Sequence, residues 1–231
     1  MGGLRCDIDG VPLLKRIHRP WMGLTLALLS MAAAPVHADG PGAYRPPAQS
    51  ALKPTLSEHS AIDAYNLGYA AIQRADALAE AAGAKEERLA QSHASDEYRQ
   101  ALNHFSEAVR QDPSMHEAYT YLGYANRKLG RHSAALDAYD QALRIEPNYP
   151  HAIEYQGVAF LGLDRIEQAR INYLRLYALN KGQAAKLLQA MQAWVGKHAD
   201  AATKSPAVKD FADWVAQRTE LTRNDPIANG W

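Results

Sequence analysis

Apolar side chains recur along the chain at the spacing of helix faces rather than of strands. After Pro54 prolines are sparse, and they are separated by long stretches rich in Ala, Leu, Gln, Glu, Lys and Arg, a composition that favours helices. No segment shows sustained alternation of β-branched and polar residues, so the pattern predicts an all-α fold. Two helical stripes lie near the end of the sequence: Ala184, Leu187, Leu188, Met191 and Val195, then Val208, Phe211, Ala212 and Val215.

The sequence also repeats itself with a period of 34 residues. The residues related by this step are Ala101, Ala135 and Ala169; Phe105, Tyr139 and Tyr173; Gly123 and Gly157; and Pro113 and Pro147. Small residues permit two helices to approach closely, and a proline ends the second helix because it cannot donate the backbone hydrogen bond. A period of this length indicates stacked helix–turn–helix units.

The clearest unit, residues 116–149, resembles the tetratricopeptide repeat (TPR) family. The matching positions are Tyr119, Leu122, Gly123, Ala135, Tyr139, Ala142 and Pro147. The resemblance implies a TPR-type right-handed α-solenoid of about three helix–turn–helix units within residues 57–183, followed by capping helices and a tail over residues 184–231. A solenoid needs such caps because its last unit has no neighbour to bury its apolar face.

The third unit, residues 150–183, departs from the family pattern at Gln156, Leu176 and Lys181, where Leu, Ala and Pro would be preferred. Because the terminal proline is missing, we expect its second helix to be able to run on towards Gln183.

The first unit, residues 61–115, carries an insertion near residues 74–95. Gly68 and Ala101 are 33 residues apart, whereas the equivalent Gly123 and Ala135 are 12 apart. The difference is close to six helical turns, so it predicts a longer helical hairpin with Gly83 at its tip. A competing interpretation breaks the second limb around residues 92–95, with Ser95 capping a shorter helix.

Cap signals predict two helix starts. Ser60 followed by Asp63 resembles a capping box, which would begin the first helix there. Ser205 followed by Pro206 predicts the start of the last helix.

Residues 1–38 have the pattern of a secretory signal peptide. Lys15, Arg16 and Arg19 form a basic region, residues 22–34 are an uncharged apolar run, and Val36-His37-Ala38 offers a cleavage site. The alternative is retention as a membrane anchor, but a span needs about 20 apolar residues. We therefore expect export, to the periplasm of a bacterial envelope, with no stable membrane span after cleavage.

A proline-rich linker is predicted over residues 39–56.

The net charge of the chain beyond the leader argues against two classes of partner. The full chain holds 25 basic and 25 acidic residues; without the four basic and two acidic residues of the leader, 21 face 23 and the net charge is −2. This balance argues against nucleic acid or an anionic membrane as the main partner. The one cysteine, Cys6, lies in the leader, so we expect stability to come from packing.

Motifs for catalysis, metals or cofactors are missing from the sequence. His116-Glu117 begins like a zinc-protease motif, but Thr120 stands where the second histidine is required. The histidines after the leader do not share the i,i+4 spacing of a metal site. We therefore predict no catalytic residues, no metal and no cofactor.

A TPR solenoid offers a concave groove lined by the first helix of each unit, which suits a peptide or helix. Carrying the family's groove positions onto this chain predicts one partner-binding set: Tyr65, Tyr69, Gln73, Glu117, Thr120, Tyr124, Arg127, Lys128, His151, Glu154, Val158 and Leu161. An alternative is that Tyr65 and Tyr69 simply pack against the long hairpin. The groove lacks the Lys/Asn set by which some TPR domains clamp a carboxylate tail, so an acidic C-terminal peptide is not the predicted ligand.

The resulting hypothesis is an exported scaffold or adaptor that binds a protein or peptide partner in its groove without catalysis. The first alternative is a structural, self-associating subunit of an envelope or secretion assembly, using the third unit or the long hairpin. The second alternative is an enzyme built on a TPR scaffold.

Overall fold

The computed structural model describes residues 56–81 and 87–223, and these residues form nine helices and no strand. The helices are α1 (Leu56–Ala81), α2 (Glu87–Gln111), α3 (His116–Lys128), α4 (His132–Ile145), α5 (Pro150–Leu161), α6 (Ile166–Leu179), α7 (Lys181–Lys197), α8 (Ala199–Ala202) and α9 (Pro206–Arg223). The all-α prediction is confirmed. The leader, nearly all of the linker, Gly83 and the last eight residues lie outside the described residues.

Successive helices stack as TPR-like pairs, α1 with α2, α3 with α4 and α5 with α6. One apolar core joins the first two pairs around Tyr65, Phe105, Tyr121 and Tyr139. A second core joins the third pair to α7 and α9, which cover it with Leu187 and other apolar side chains. The stacking follows from the amphipathic faces, because no single pair can bury its own apolar side.

The insertion in the first unit lengthens both of its helices. Helix α1 has 26 residues and α2 has 25, against 13 and 14 for α3 and α4. Helix α2 continues without a break through residues 92–95, so the structure has no shorter helix capped by Ser95.

Helices of the first two pairs approach where a glycine faces an aromatic ring. A Cβ atom at Gly68 would lie 2.9 Å from the ring of Phe105, and one at Gly123 would lie 2.5 Å from the ring of Tyr139. In the third pair the equivalent Gly157 instead faces Leu187 of α7, 2.6 Å from where its Cβ would be. The third unit is therefore completed by the first capping helix.

The turns inside the second and third pairs share one geometry. Gly130 has φ +73°, and Asp164, 34 residues later, has φ +56°. In both turns a backbone N–H reaches back at 2.9 Å, from Arg131 to the carbonyl of Asn126 and from Arg165 to that of Phe160. Aspartate tolerates this left-handed conformation better than most residues. The Asp164 carboxylate also accepts a hydrogen bond from Nε1 of Trp194 at 3.2 Å, which fixes the turn against α7.

Two predicted boundaries are wrong. Helix α1 begins at Leu56 rather than at Ser60, because the helix-compatible residues before Ser60 extend it backwards. Helix α6 ends at Leu179 rather than running to Gln183. Asn180 takes an extended conformation there, and its side chain accepts a hydrogen bond from the Gln183 N–H at 3.0 Å, so it caps α7.

Within the described residues, none of the helices combines the length and the apolar character needed to cross a bilayer.

Candidate functional site

A buried carboxylate ties the inserted turns of the first pair to the end of α3. Asp76 of α1 accepts hydrogen bonds from the hydroxyls of Tyr98 on α2 and Tyr124 on α3, the latter at 2.7 Å. The Lys128 ammonium lies 2.9 Å from the same carboxylate. We name Asp76, Tyr98, Tyr124 and Lys128 the Asp76 hub. Two of the predicted groove residues therefore make contacts within the protein: Tyr124 is buried, whereas Lys128 remains exposed.

The charged and aromatic groups of the Asp76 hub attract one another. The Lys128 ammonium lies 5.7 Å from the ring centroid of Tyr98 and 5.4 Å from that of Tyr124, within the range of cation–π attraction. Burial, and to a lesser extent the negative charge of Asp76, raises the pKa of both tyrosines. Both hydroxyls therefore stay protonated and remain donors to the carboxylate at physiological pH.

Five other predicted groove residues are buried: Glu154, described below, and four that pack within the apolar interior. Tyr65 and Tyr69 pack in an aromatic cluster with Tyr121, whose ring centroid lies 6.0 Å and 5.2 Å from theirs. Thr120 is fully buried and donates to the carbonyl of residue 116 at 2.8 Å, and Leu161 belongs to the second core. Internal packing accounts for all four side chains, and for Tyr65 and Tyr69 it agrees with the alternative that these rings pack within the protein.

The accessible part of the groove lies at the beginning of α3. The ring of His116 meets the ring of Tyr149 edge-on, with centroids 4.6 Å apart, and Glu117 Oε2 lies 3.3 Å from His116 Nδ1. We name His116, Glu117 and Tyr149 the groove mouth. Burial, followed by the charge of Glu117, raises the pKa of Tyr149, so its hydroxyl stays protonated there.

Sequence reasoning missed Tyr149 and His116 as site residues. Tyr149 lies in the loop before Pro150 rather than on a first helix, so the family's groove positions do not include it. The only available signal was an aromatic residue placed directly before the start of a first helix.

Three of the other predicted residues keep some solvent exposure. Gln73 is exposed on α1, and Val158 is partly exposed on α5. His151 is half-buried, with its Nε2 3.0 Å from Nε2 of Gln183, and burial lowers its pKa. An acceptor on α3, a ring just before α5 and an apolar side chain on α5 therefore remain partly accessible.

Glu154 and Arg127 form a second, less accessible polar region. The Arg127 guanidinium carbon lies 4.9 Å from the ring centroid of Tyr124 and 5.9 Å from that of Tyr155. Glu154 is 7% exposed, and its Oε2 has no hydrogen-bond partner among the described residues. Burial raises the pKa of Glu154 to about 8, although the positive charge of Arg127 opposes the shift. The carboxyl group is therefore mostly neutral at pH 7.

The described residues contain no group of three or more His, Cys, Asp or Glu side chains that could hold a metal ion. A cleft of about 460 Å³ lies between α7 and α9, away from the groove, and is lined mainly by Gln192, Val195, Val215 and Thr219 with Glu220 at its side. The arrangement at the groove mouth offers contacts for a ligand.

Comparison with known proteins identifies the repeats. Residues 94–153 match the family model described as tetratricopeptide repeat. Residues 94–153 are therefore similar to TPR units, and TPR domains generally serve as scaffolds for protein–protein interaction. No curated protein matches the sequence.

Two solved structures are similar to the chain. One is the first TPR domain of Spaghetti (RPAP3) bound to the HSP90 peptide SRMEEVD, with 23% identity, coverage of 53% of this chain and 94% of that chain, and a TM-score of 0.39. The other is MamA, with 17% identity, coverage of 68% and 92%, and a TM-score of 0.41. Neither assigns a ligand to this chain.

Replacing Asp76 with alanine should destabilise the protein by about 2–3 kcal/mol, because two buried hydroxyls and an ammonium group lose their shared acceptor. Urea unfolding followed by circular dichroism measures the change. Glu80→Ala, an exposed position on the same helix, is the matched control and should stay within about 0.5 kcal/mol of wild type. Equal unfolding midpoints for the two variants would contradict the role of the hub.

Glu154 should make stability fall as pH rises. Its folded pKa lies above the unfolded value, so the folded state holds a proton that the unfolded state releases between about pH 4.5 and pH 8. Glu154→Gln, which mimics the neutral form, should gain about 1–4 kcal/mol relative to wild type over that interval, with no further gain above it. Urea titrations at several pH values give the difference. A constant difference between the two proteins would show that the carboxyl group titrates normally.

Proposed function

We propose that the protein is a non-catalytic scaffold that binds a peptide segment of a protein partner along α1, α3 and α5. The observation that carries the proposal is the groove mouth, where a half-buried ring and a carboxylate lie at the start of a repeat helix. Tyrosine is enriched at binding surfaces because its ring gives a large contact area and its hydroxyl a polar contact. The TPR match supports the same class of function.

The accessible contacts also limit the size of the ligand. The Asp76 hub engages Tyr124 and Lys128 at the far end of α3, and the aromatic cluster packs between α1 and α3. The contacts that stay partly accessible include Glu117 as an acceptor, Tyr149 as a ring and Val158 as an apolar side chain. These side chains suit a short peptide better than a long helix laid across the whole groove.

Peptide selection tests this proposal. Peptides that bind the protein are selected from a random dodecamer library, and the affinity of one selected peptide is measured by fluorescence anisotropy. Glu117→Lys and Val158→Lys should weaken binding by at least about tenfold, equal to about 1.4 kcal/mol. Ala134→Lys and Gln141→Lys, both exposed on α4, should leave the affinity within about twofold. Failure to select any peptide, or equal affinity for all four variants, would contradict the groove assignment.

We propose further that the protein acts after export, in a periplasm. The basic region, the apolar run and the small residues at Val36 and Ala38 support cleavage before Asp39. The slightly acidic balance and the absence of cysteine after residue 38 are compatible with that compartment.

Expression of the full chain in a Gram-negative host tests export. The periplasmic fraction should contain protein whose intact mass corresponds to a start at Asp39. Leu26→Arg, which interrupts the apolar run, should leave uncleaved protein in the cytoplasm, whereas Leu67→Arg should be exported normally. Full-length protein recovered from the membrane would instead favour the retained anchor.

A further inference from the structure

Helix α6 exposes an apolar stripe on the side opposite its buried face. Its buried residues are Ala169, Asn172, Tyr173 and Leu176. On the other side, Ile171 is 62% exposed and Leu174 is 46% exposed. Glu167 and Ala178 are exposed at the spacing that continues the same line along the helix. We name Glu167, Ile171, Leu174 and Ala178 the α6 stripe.

The same positions are polar in the other two repeat units. One period earlier, on α4, the stripe corresponds to Ser133, Asp137, Asp140 and Arg144, and two periods earlier, on α2, to Arg99, Asn103, Ser106 and Arg110. All eight of these residues are exposed. Solvated polar side chains are therefore the normal occupants of this face, and the third unit replaces two of them with Ile and Leu at a cost in solubility.

One charge within the stripe and one beside it indicate what covers it. If α6 packs antiparallel against α6 of a second copy with Ile171 at the centre, residue 167 of each copy lies opposite residue 175 of the other. Glu167, whose side chain is 63% exposed, then faces Arg175 twice across the two-fold axis. Among the described residues of one molecule, Glu167 has a 3.5 Å contact to Arg170, and Arg175 donates to the carbonyl of Pro147 and, at 3.5 Å, to Oδ1 of Asn148. The stripe and the charges of one copy are thus complementary to the same residues of a second copy.

We propose that the α6 stripe is a homodimer interface, with the two α6 helices packed antiparallel about Ile171. One helix from each protomer buries less than the ~1,200 Å² of a typical stable interface, so the dimer forms in a concentration-dependent manner. The stripe faces away from the residues of α6 that pack on α5, since Asn172 on the buried side donates to the carbonyl of Ile153 at 3.0 Å. Both copies therefore keep the surface of α1, α3 and α5 free.

Sedimentation velocity on the full chain without its leader tests the dimer. Over a loading series from about 10 μM to about 1 mM, the weight-average mass should rise from monomer towards dimer. Ile171→Glu and Leu174→Glu should each raise the dimer dissociation constant by at least about tenfold. Leu67→Glu, at a leucine of α1 that is 56% exposed, is the matched control and should leave the constant unchanged.

Charge reversal tests the antiparallel arrangement. Glu167→Arg and Arg175→Glu should each weaken the dimer, because each places like charges opposite one another, and the double variant should restore it. Urea midpoints of the variants establish that each one is folded. The proposal is overturned by a monomer throughout the series, by a dimer that Ile171→Glu and Leu174→Glu leave intact, by equal loss in Leu67→Glu, or by a double variant no stronger than the single ones.

Discussion

Close approach between helices is the constraint on which this structure depends. Gly68 and Gly123 leave room for the rings of Phe105 and Tyr139, so each of the first two pairs closes on itself. Gly157 leaves the same room, but Leu187 of the next helix fills it. The stack ends there because the third pair is completed by a capping helix instead of by its own ring. Tyr173, which occupies the ring position of that pair, turns towards α9, and its centroid lies 5.3 Å from that of Trp214.

The insertion in the first unit changes how the concave side is used. In its place a regular repeat would leave the end of α3 open to a ligand, whereas here Asp76 reaches it and engages Tyr124 and Lys128. The surface that remains accessible is concentrated at the other end of the helix, around Glu117 and Tyr149. The Asp76 hub and the surface proposed to bind a partner thus lie at opposite ends of α3.

Periodicity predicted the helical pairs because the spacing of small and aromatic residues follows directly from how helices pack. It did not predict which groove side chains are accessible, since the burial of Thr120 and Leu161 depends on neighbours from other helices. The left-handed turn at Asp164 was not predicted either, because the equivalent position of the second unit is Gly130 and the third unit has no glycine there. The end of α6 before Asn180 was not predicted because no proline marks it. The capping role of Asn180 is recognised from its hydrogen bond to Gln183.

The Asp76 hub also has a consequence for the modularity of the array. Units of a solenoid are ordinarily exchangeable, because each one contacts only its neighbours through similar surfaces. Here α3 carries a lysine and a tyrosine whose shared acceptor belongs to the extra turns of the preceding unit. If the second unit were grafted into another array, those side chains would lack their partner. The first two units are therefore structurally coupled, and an engineered array that uses the second unit has to include the first.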